Sequence, residues 1–264
     1  MRFQDKVAVI TASASGIGKA IAKIMAGEGA QLVAVDISAP DLATVAEELE
    51  AAGGNVTTMQ VDVLDAQQVE GMVDSIVNRF SRIDILVNAV GGSTTIVDAE
   101  GMKSALIPHK QAFMEDLTLE EWDKVIQFNL NGTFLCAKAA VQQMKKQGGG
   151  KIVNLSSRAG HGLSDSSSAY VAAKAGIMAF TKKVAIEAGP YGITCNAIAP
   201  GRTLSDRLVG IWEQMSEQDQ QRFVEDIPLR RVAQPEDQAK VIAFLASADA
   251  DYVTGVTIDM SGGR

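Results

Sequence analysis

The chain has 264 residues, 47% of them apolar and 21% charged, a balance that suits a soluble protein with a sizeable core. Its formal net charge of -8, with no clustered basic residues, speaks against nucleic acid and anionic membrane surfaces as partners. No stretch approaches the roughly 20 apolar residues of a spanning helix, and Met1–Ile10 does not read as a signal peptide. The two cysteines, Cys136 and Cys195, have no metal-ligand spacing with the two histidines, so buried free thiols, no bound metal and a cytoplasmic location are expected.

Lys6–Thr11 is a short apolar, β-branched strand, closed by the small-residue turn Ala12–Gly16. Ile17–Gly29 places Ile17, Ala20, Ile21, Ile24 and Met25 on one helical face. A second strand, Leu32–Val35, ends in Asp36; a helix over Ala43–Ala52 closes at Gly53-Gly54; a third strand, Val56–Val61, ends at Asp62. Ala66–Phe80 is helical and Ile83–Val87 is a fourth strand ending at Asn88. Residues 91–118 break the pattern and form a long loop, of the kind that tends to carry function. Leu119–Gln147 resumes as one long helix, opened by the capping box Thr118/Glu121. Lys151–Leu155 and Ile193–Ile198 are strands on either side of a helix over Ala169–Glu187. Leu204–Phe223 is amphipathic, with Leu204, Leu208, Ile211, Trp212 and Met215 on one side. A helix over Gln238–Ala248 follows Pro235, and Val253–Asp259 is the last strand. Regular strand–helix alternation with short connections predicts βαβ units, hence a doubly wound parallel sheet of seven strands with helices on both faces. With no repeat or linker, residues 1–264 form one domain, in which the 91–118 loop and a lid over 202–228 shape the pocket.

Two places carry chemistry. The turn Thr11–Gly18 joins the first strand to the first helix; Ser13, Ser15, Gly16, Ile17 and Gly18 are small or closely packed there, so backbone can approach a pyrophosphate at a helix N-terminus. Asp36, at the end of the second strand, stands where an acidic residue binds an adenosine ribose and repels a 2′-phosphate. No Lys or Arg occupies Ser15 or Ile37, which favours NAD over NADP. Further along, Tyr170 and Lys174 lie four apart on one helical face. An ammonium nearby favours the phenolate, which brings a phenol towards use as a general acid or base. Ser157 ends a buried strand, where such sheets place their ligands.

T-x-x-x-S-G-I-G (Thr11–Gly18), Asp62-Val63, N-A-x-G (Asn88–Gly91), Asn129, Ser157, Y-x-x-x-K (Tyr170–Lys174) and Pro200-Gly201 occur in this order along essentially the whole chain. Together they resemble the short-chain dehydrogenase/reductase family. The resemblance implies a Rossmann fold and a catalytic tetrad of Asn129, Ser157, Tyr170 and Lys174. Tyr170 would be the general acid/base and Ser157 would polarise the substrate oxygen. Lys174 would bind the nicotinamide ribose, and Asn129 would hold a water linking Lys174 to solvent. It further implies that Asp62 and Val63 flank the adenine, that Asn88 lies along the cofactor, and that backbone near Thr203 meets the carboxamide. The chain departs from the family pattern at Ala12, where Gly is usual, at Val87 before Asn88, and at Val90 where a second Gly is usual.

The implied activity is hydride transfer between NAD(H) and a small-molecule secondary alcohol or ketone, by a homotetramer paired through the helices Leu119–Gln147 and Ala169–Ala188. Arg158, Arg202, His161 and Trp212 are candidates for the substrate wall, one of the arginines for binding an anionic group. His161 and His109 are read as pocket-wall or surface residues rather than catalytic ones. Two other readings stand beside this: an NADPH-dependent 3-oxoacyl-type ketoreductase, against which Asp36 weighs, and a catalytically silent nucleotide-sensing relative, against which the intact tetrad weighs.

Overall fold

A computed structural model describes residues 1–92, 95–97, 103–105, 113–162, 164 and 166–264. Its centre is a sheet of seven parallel strands. In chain order these are β1 (Val7–Thr11), β2 (Gln31–Asp36), β3 (Asn55–Gln60) and β4 (Ile85–Asn88), followed after an excursion by β7 (Gly150–Leu155), β8 (Ile193–Pro200) and β9 (Thr257–Met260). The spatial order is β3-β2-β1-β4-β7-β8-β9, so the winding reverses between β1 and β4, whose carboxyl ends flank the crevice where open α/β sheets bind ligands. The excursion holds a separate antiparallel pair, β5 (Thr95–Val97) and β6 (Lys103–Ala105).

Burial on both faces explains why the inner strands are continuously apolar rather than alternating. Ala8 and Ile10 of β1 face one layer, built from α1 (Gly16–Gly27), α2 (Ala39–Ala51) and α9 (Pro235–Ala246). Val7 and Val9 face the other, built from α3 (Ala66–Phe80), α5 (Gly132–Gln147) and α6 (Ser168–Ala188). A smaller cluster joins α4 (Leu119–Ile126) to the start of α6, through Val125 and Ala169 with Trp122, Phe128 and Tyr170 packed on them. The remaining helices, α7 (Asp206–Gln214) and α8 (Glu217–Val224), follow β8. No helix among the described residues is long and apolar enough to cross a membrane.

Five expectations need correction. The second helix starts at Ala39 rather than Ala43, because Ser38 caps it and Pro40 sits in the first turn, where a missing N–H costs nothing. Leu119–Gln147 is not one α-helix: a π turn over Gln127–Asn131 divides α4 from α5. There the Asn129 side-chain amide donates to the Val125 carbonyl at 3.0 Å, the group an α-helix would offer to the Asn129 N–H. Leu204–Phe223 breaks at extended Met215, and Ser216 caps a new helix. The ninth helix begins at Pro235, with Gln234 and Asp237 capping each other. The last strand begins at Thr257 rather than Val253, since Val253 and Val256 are bonded to the Asn196 side chain and Gly255 turns through φ +75°. Of the 91–118 loop, the stretches 93–94, 98–102 and 106–112, His109 among them, lie outside the described residues.

Candidate active site

The carboxyl ends of β1, β2, β4, β7 and β8 open onto a cleft of about 490 Å³. At one end is the turn after β1. Its compactness comes from Gly18: a Cβ there would stand 1.9 Å from the Ala12 carbonyl oxygen, so only glycine lets α1 close against the strand. Ser15 caps α1 with extended backbone, and Ser15, Gly16, Ile17 and Gly18 all line the cleft. Ser13 does not, since it is fully buried with its hydroxyl donating to the Val35 carbonyl at 3.2 Å. Asp36 accepts from the Ala14 N–H at 3.1 Å and the Ser38 N–H at 3.2 Å. Burial pushes its carboxyl above the ordinary range, against those backbone N–H groups, which hold it down. Asp62, which accepts from the Leu64 N–H at 2.9 Å, and Val63 continue the wall.

This donor set fits an extended dinucleotide. The Gly16 N–H already holds an anion, the Asp206 carboxylate, at 3.2 Å, and the Asp36 carboxylate stands at the end of β2 to receive hydroxyls.

At the other end, β7 and α6 bring Ser157, Tyr170 and Lys174 together on the lining. Ser167 caps α6 by accepting from the Tyr170 N–H at 3.3 Å, which fixes the start of the helix. One turn on, Lys174 is buried; its ammonium donates to the Leu155 carbonyl at 2.9 Å and lies 5.7 Å from the Tyr170 ring centre. The Ser156 hydroxyl donates in turn to the Lys174 carbonyl at 2.7 Å, so strand end and helix are pinned to each other twice just before Ser157. The Ser157 hydroxyl accepts from the Ala159 N–H at 3.1 Å, which leaves its own proton to be directed into the cleft.

Asn129 stands behind this wall, fully buried. Its side chain accepts from the Gly92 N–H at 3.0 Å and donates to the Gly92 and Val125 carbonyls at 3.1 and 3.0 Å. It thereby braces Gly91, whose hypothetical Cβ would lie 2.6 Å from Asn129 Oδ1 and 2.8 Å from Lys174 Nζ. Asn88 is likewise buried off the lining, donating to Asn154 Oδ1 at 2.9 Å.

Among the described lining residues of the cleft, none of the four substrate-wall candidates occurs. Arg202 pairs with Asp226 at 2.7 Å, bonds the Phe223 carbonyl and stacks its guanidinium 4.3 Å from the Phe223 ring centre. His161 meets Asp259 at 2.7 Å, Arg158 donates to the Arg264 carbonyl at 3.1 Å, and Trp212 packs edge-on against Phe223. In their place Val90, Phe128, Leu208 and Ile211 line the cleft, with Thr203, Ser205 and Asp206. Leu208 and Ile211 were legible as one face of an amphipathic helix and Val90 as a departure within N-A-x-G, whereas nothing local marked Phe128 or Asp206. Lys174 is the one cation among the described lining residues, against three carboxylates, Asp36, Asp62 and Asp206.

The chain is similar to known proteins along almost its whole length. A family model described as enoyl-(acyl carrier protein) reductase matches residues 11–264. A 3-oxoacyl-(acyl-carrier-protein) reductase of Thermotoga maritima is 36% identical over 263 residues, covering 100% of this chain and 99% of that protein. The crystal structure of levodione reductase superposes with a TM-score of 0.87 at 34% identity, covering 99% of this chain and 98% of the other. A 7α-hydroxysteroid dehydrogenase complexed with NADH and 7-oxo glycochenodeoxycholic acid does so with a TM-score of 0.86 at 28% identity, covering 99% and 95%. The chain belongs to the short-chain dehydrogenase/reductase family of oxidoreductases.

Proposed function

We propose that this protein is an NAD-dependent dehydrogenase/reductase of a small, largely apolar secondary alcohol or ketone, with Tyr170 as its general acid/base. The observation that carries the proposal is the convergence of Ser157, Tyr170 and Lys174 on one wall of a cleft whose far end holds Asp36 and the Gly16 N–H. When bound, the nicotinamide supplies or accepts the hydride. The chain's residues do the rest. In the reducing direction the Ser157 hydroxyl donates to the substrate oxygen, and Tyr170 gives it the proton that turns a developing alkoxide into an alcohol. The buried Lys174 ammonium, anchored on Leu155, favours the tyrosinate left behind. Asn129 keeps Gly91 and Gly92 in place at the wall.

An uncharged substrate suits the lining of Val90, Phe128, Leu208 and Ile211, and Arg202 and Arg158 bond Asp226 and the Arg264 carbonyl. The solved neighbours named for levodione and for a 7-oxo bile acid support a ring ketone as the first class to try. NAD rather than NADP is supported by Asp36 and by the scarcity of cations among the described lining residues. The similarity to the Thermotoga reductase favours a second reading, a 3-oxoacyl-type ketoreductase using NADPH. The same proposal includes a cytoplasmic location and a homotetramer, the latter supported by apolar side chains left exposed on α5 and α6, Phe134 at 45% and Ile186 at 65%.

The test is absorbance of reduced nicotinamide with NADH or NADPH against cyclic ketones and a 3-oxoacyl thioester, and with NAD or NADP against the matching alcohols. NAD(H)-linked turnover that falls by about 10²- to 10⁴-fold in Tyr170→Phe, with coenzyme affinity kept, is the expected result. Turnover with NADPH and the thioester alone would replace this reading by the second.

A further inference from the structure

The first turn of α1 contains no acidic side chain of its own, and the N–H groups there lack helical partners, as at any helix start. One of them is nevertheless taken. The Gly16 N–H donates to Asp206 Oδ2, from a residue 190 positions further along the chain and the first of α7. The contact is not isolated: Ser205, the N-cap of α7, lies 3.4 Å from the point a Gly16 Cβ would occupy, and Ser205, Asp206 and Gly16 line the same cleft. The segment just before is held by other means. The Leu204 N–H donates to the Ala233 carbonyl at 2.8 Å and the Ala233 N–H to the Arg202 carbonyl at 3.1 Å, while Arg202 is paired to Asp226. The chain is therefore fixed up to Leu204, and Asp206 ties the start of α7 onto the turn beyond it.

A carboxylate on that N–H is a negative charge on the donor the fold offers to a cofactor phosphate. Both anions cannot use it, since they share one donor and repel each other. We propose that Asp206 is an internal competitor for the phosphate site, so that dinucleotide entry and release of the start of α7 from the turn are one event. Asp206 is then neither catalytic nor a ligand of the cofactor. It weakens the hold on phosphates while leaving the adenosine end untouched, and it ties the apolar wall of Leu208 and Ile211 to the state of the phosphate site. This rests on the dinucleotide placement proposed above.

The experiment is calorimetric titration of the full chain, as wild type, Asp206→Asn and Asp206→Ala, with ADP and separately with adenosine. Removing one charged competitor is expected to tighten ADP binding about tenfold in both variants, while adenosine affinity stays within about twofold. Because the ratio of the two affinities is internal to each protein, partial unfolding of a variant does not imitate the effect. ADP affinity unchanged, or ADP and adenosine moving by the same factor, would overturn the competitor and leave the dinucleotide site standing. Failure of both ADP and adenosine to bind any of the three proteins would overturn the dinucleotide site and the competitor with it.

Discussion

Asp36 does two opposed things at neutral pH. As a carboxylate it braces the turn by accepting from Ala14 and Ser38, and under the proposed function it faces the place of a 2′-phosphate. Burial makes that charge costly, so its carboxyl is raised above the ordinary value near 3.8. An acid with a raised folded value adds stability in its protonated form, fully so below the ordinary value, and loses that contribution as pH rises through the folded one. Asp36→Asn is therefore expected to melt higher than wild type at neutral pH, with the gap shrinking as pH falls through the raised folded value and closed once it is below the ordinary one. The same variant is expected to narrow the preference for NAD over NADP by about tenfold or more, since like-charge repulsion is removed. Paired melting curves across pH and paired coenzyme titrations check the two halves. A neutral-pH melt lower than wild type would mean that the hydrogen bonds to Ala14 and Ser38 outweigh the burial cost.

At the level of elements, the turn after β1 stores strain that the chain's own composition makes testable. Ala12 sits at φ +50°, and its carbonyl is wedged against Gly18. A Cβ in the left-handed region costs roughly 1–2 kcal/mol, while glycine returns roughly 0.5–1 kcal/mol through the freer unfolded chain. Ala12→Gly should then stabilise the protein by about 0.5–1 kcal/mol, seen as a higher denaturant midpoint at unchanged slope. The departure at Ala12 was visible in the sequence, but its sign was not, because it depends on a backbone angle. The sheet, its order of use and the places of Tyr170, Lys174 and Ser157 were readable for a simple reason: buried parallel strands are continuous apolar runs, and helix spacing is local. What escaped depended on distant partners. The π turn exists because Asn129 reaches back to Val125 and across to Gly92. Arg202 and His161 are paired with Asp226 and Asp259, 24 and 98 positions further on, which no local pattern foretells. The burial of Ser13 depends on Val35 of the neighbouring strand, whose carbonyl takes its hydroxyl.

Over the whole molecule, the two thiols turn the fold into its own reporter. Cys136 on α5 and Cys195 on β8 are buried in the same core layer between the sheet and the α3, α5, α6 face, and burial pushes both to about 12. Since the thiolate is the reactive form, neither should react with a disulfide reagent at neutral pH until the core opens. The expected result is no thiol titrated in the native protein and two per chain after denaturation. Where opening and reclosing outpace the chemistry, the labelling rate follows the open population. A ligand that binds only the closed protein then slows labelling in proportion to one plus its concentration over its Kd. NAD supplied at about a hundred times its Kd should slow both cysteines about a hundredfold. NADP at the same concentration should slow them much less if Asp36 discriminates as argued. Equal protection by both coenzymes would remove the basis for NAD preference. Protection of one cysteine without the other would show that the layer opens in pieces, with α5 and β8 belonging to different cooperative units.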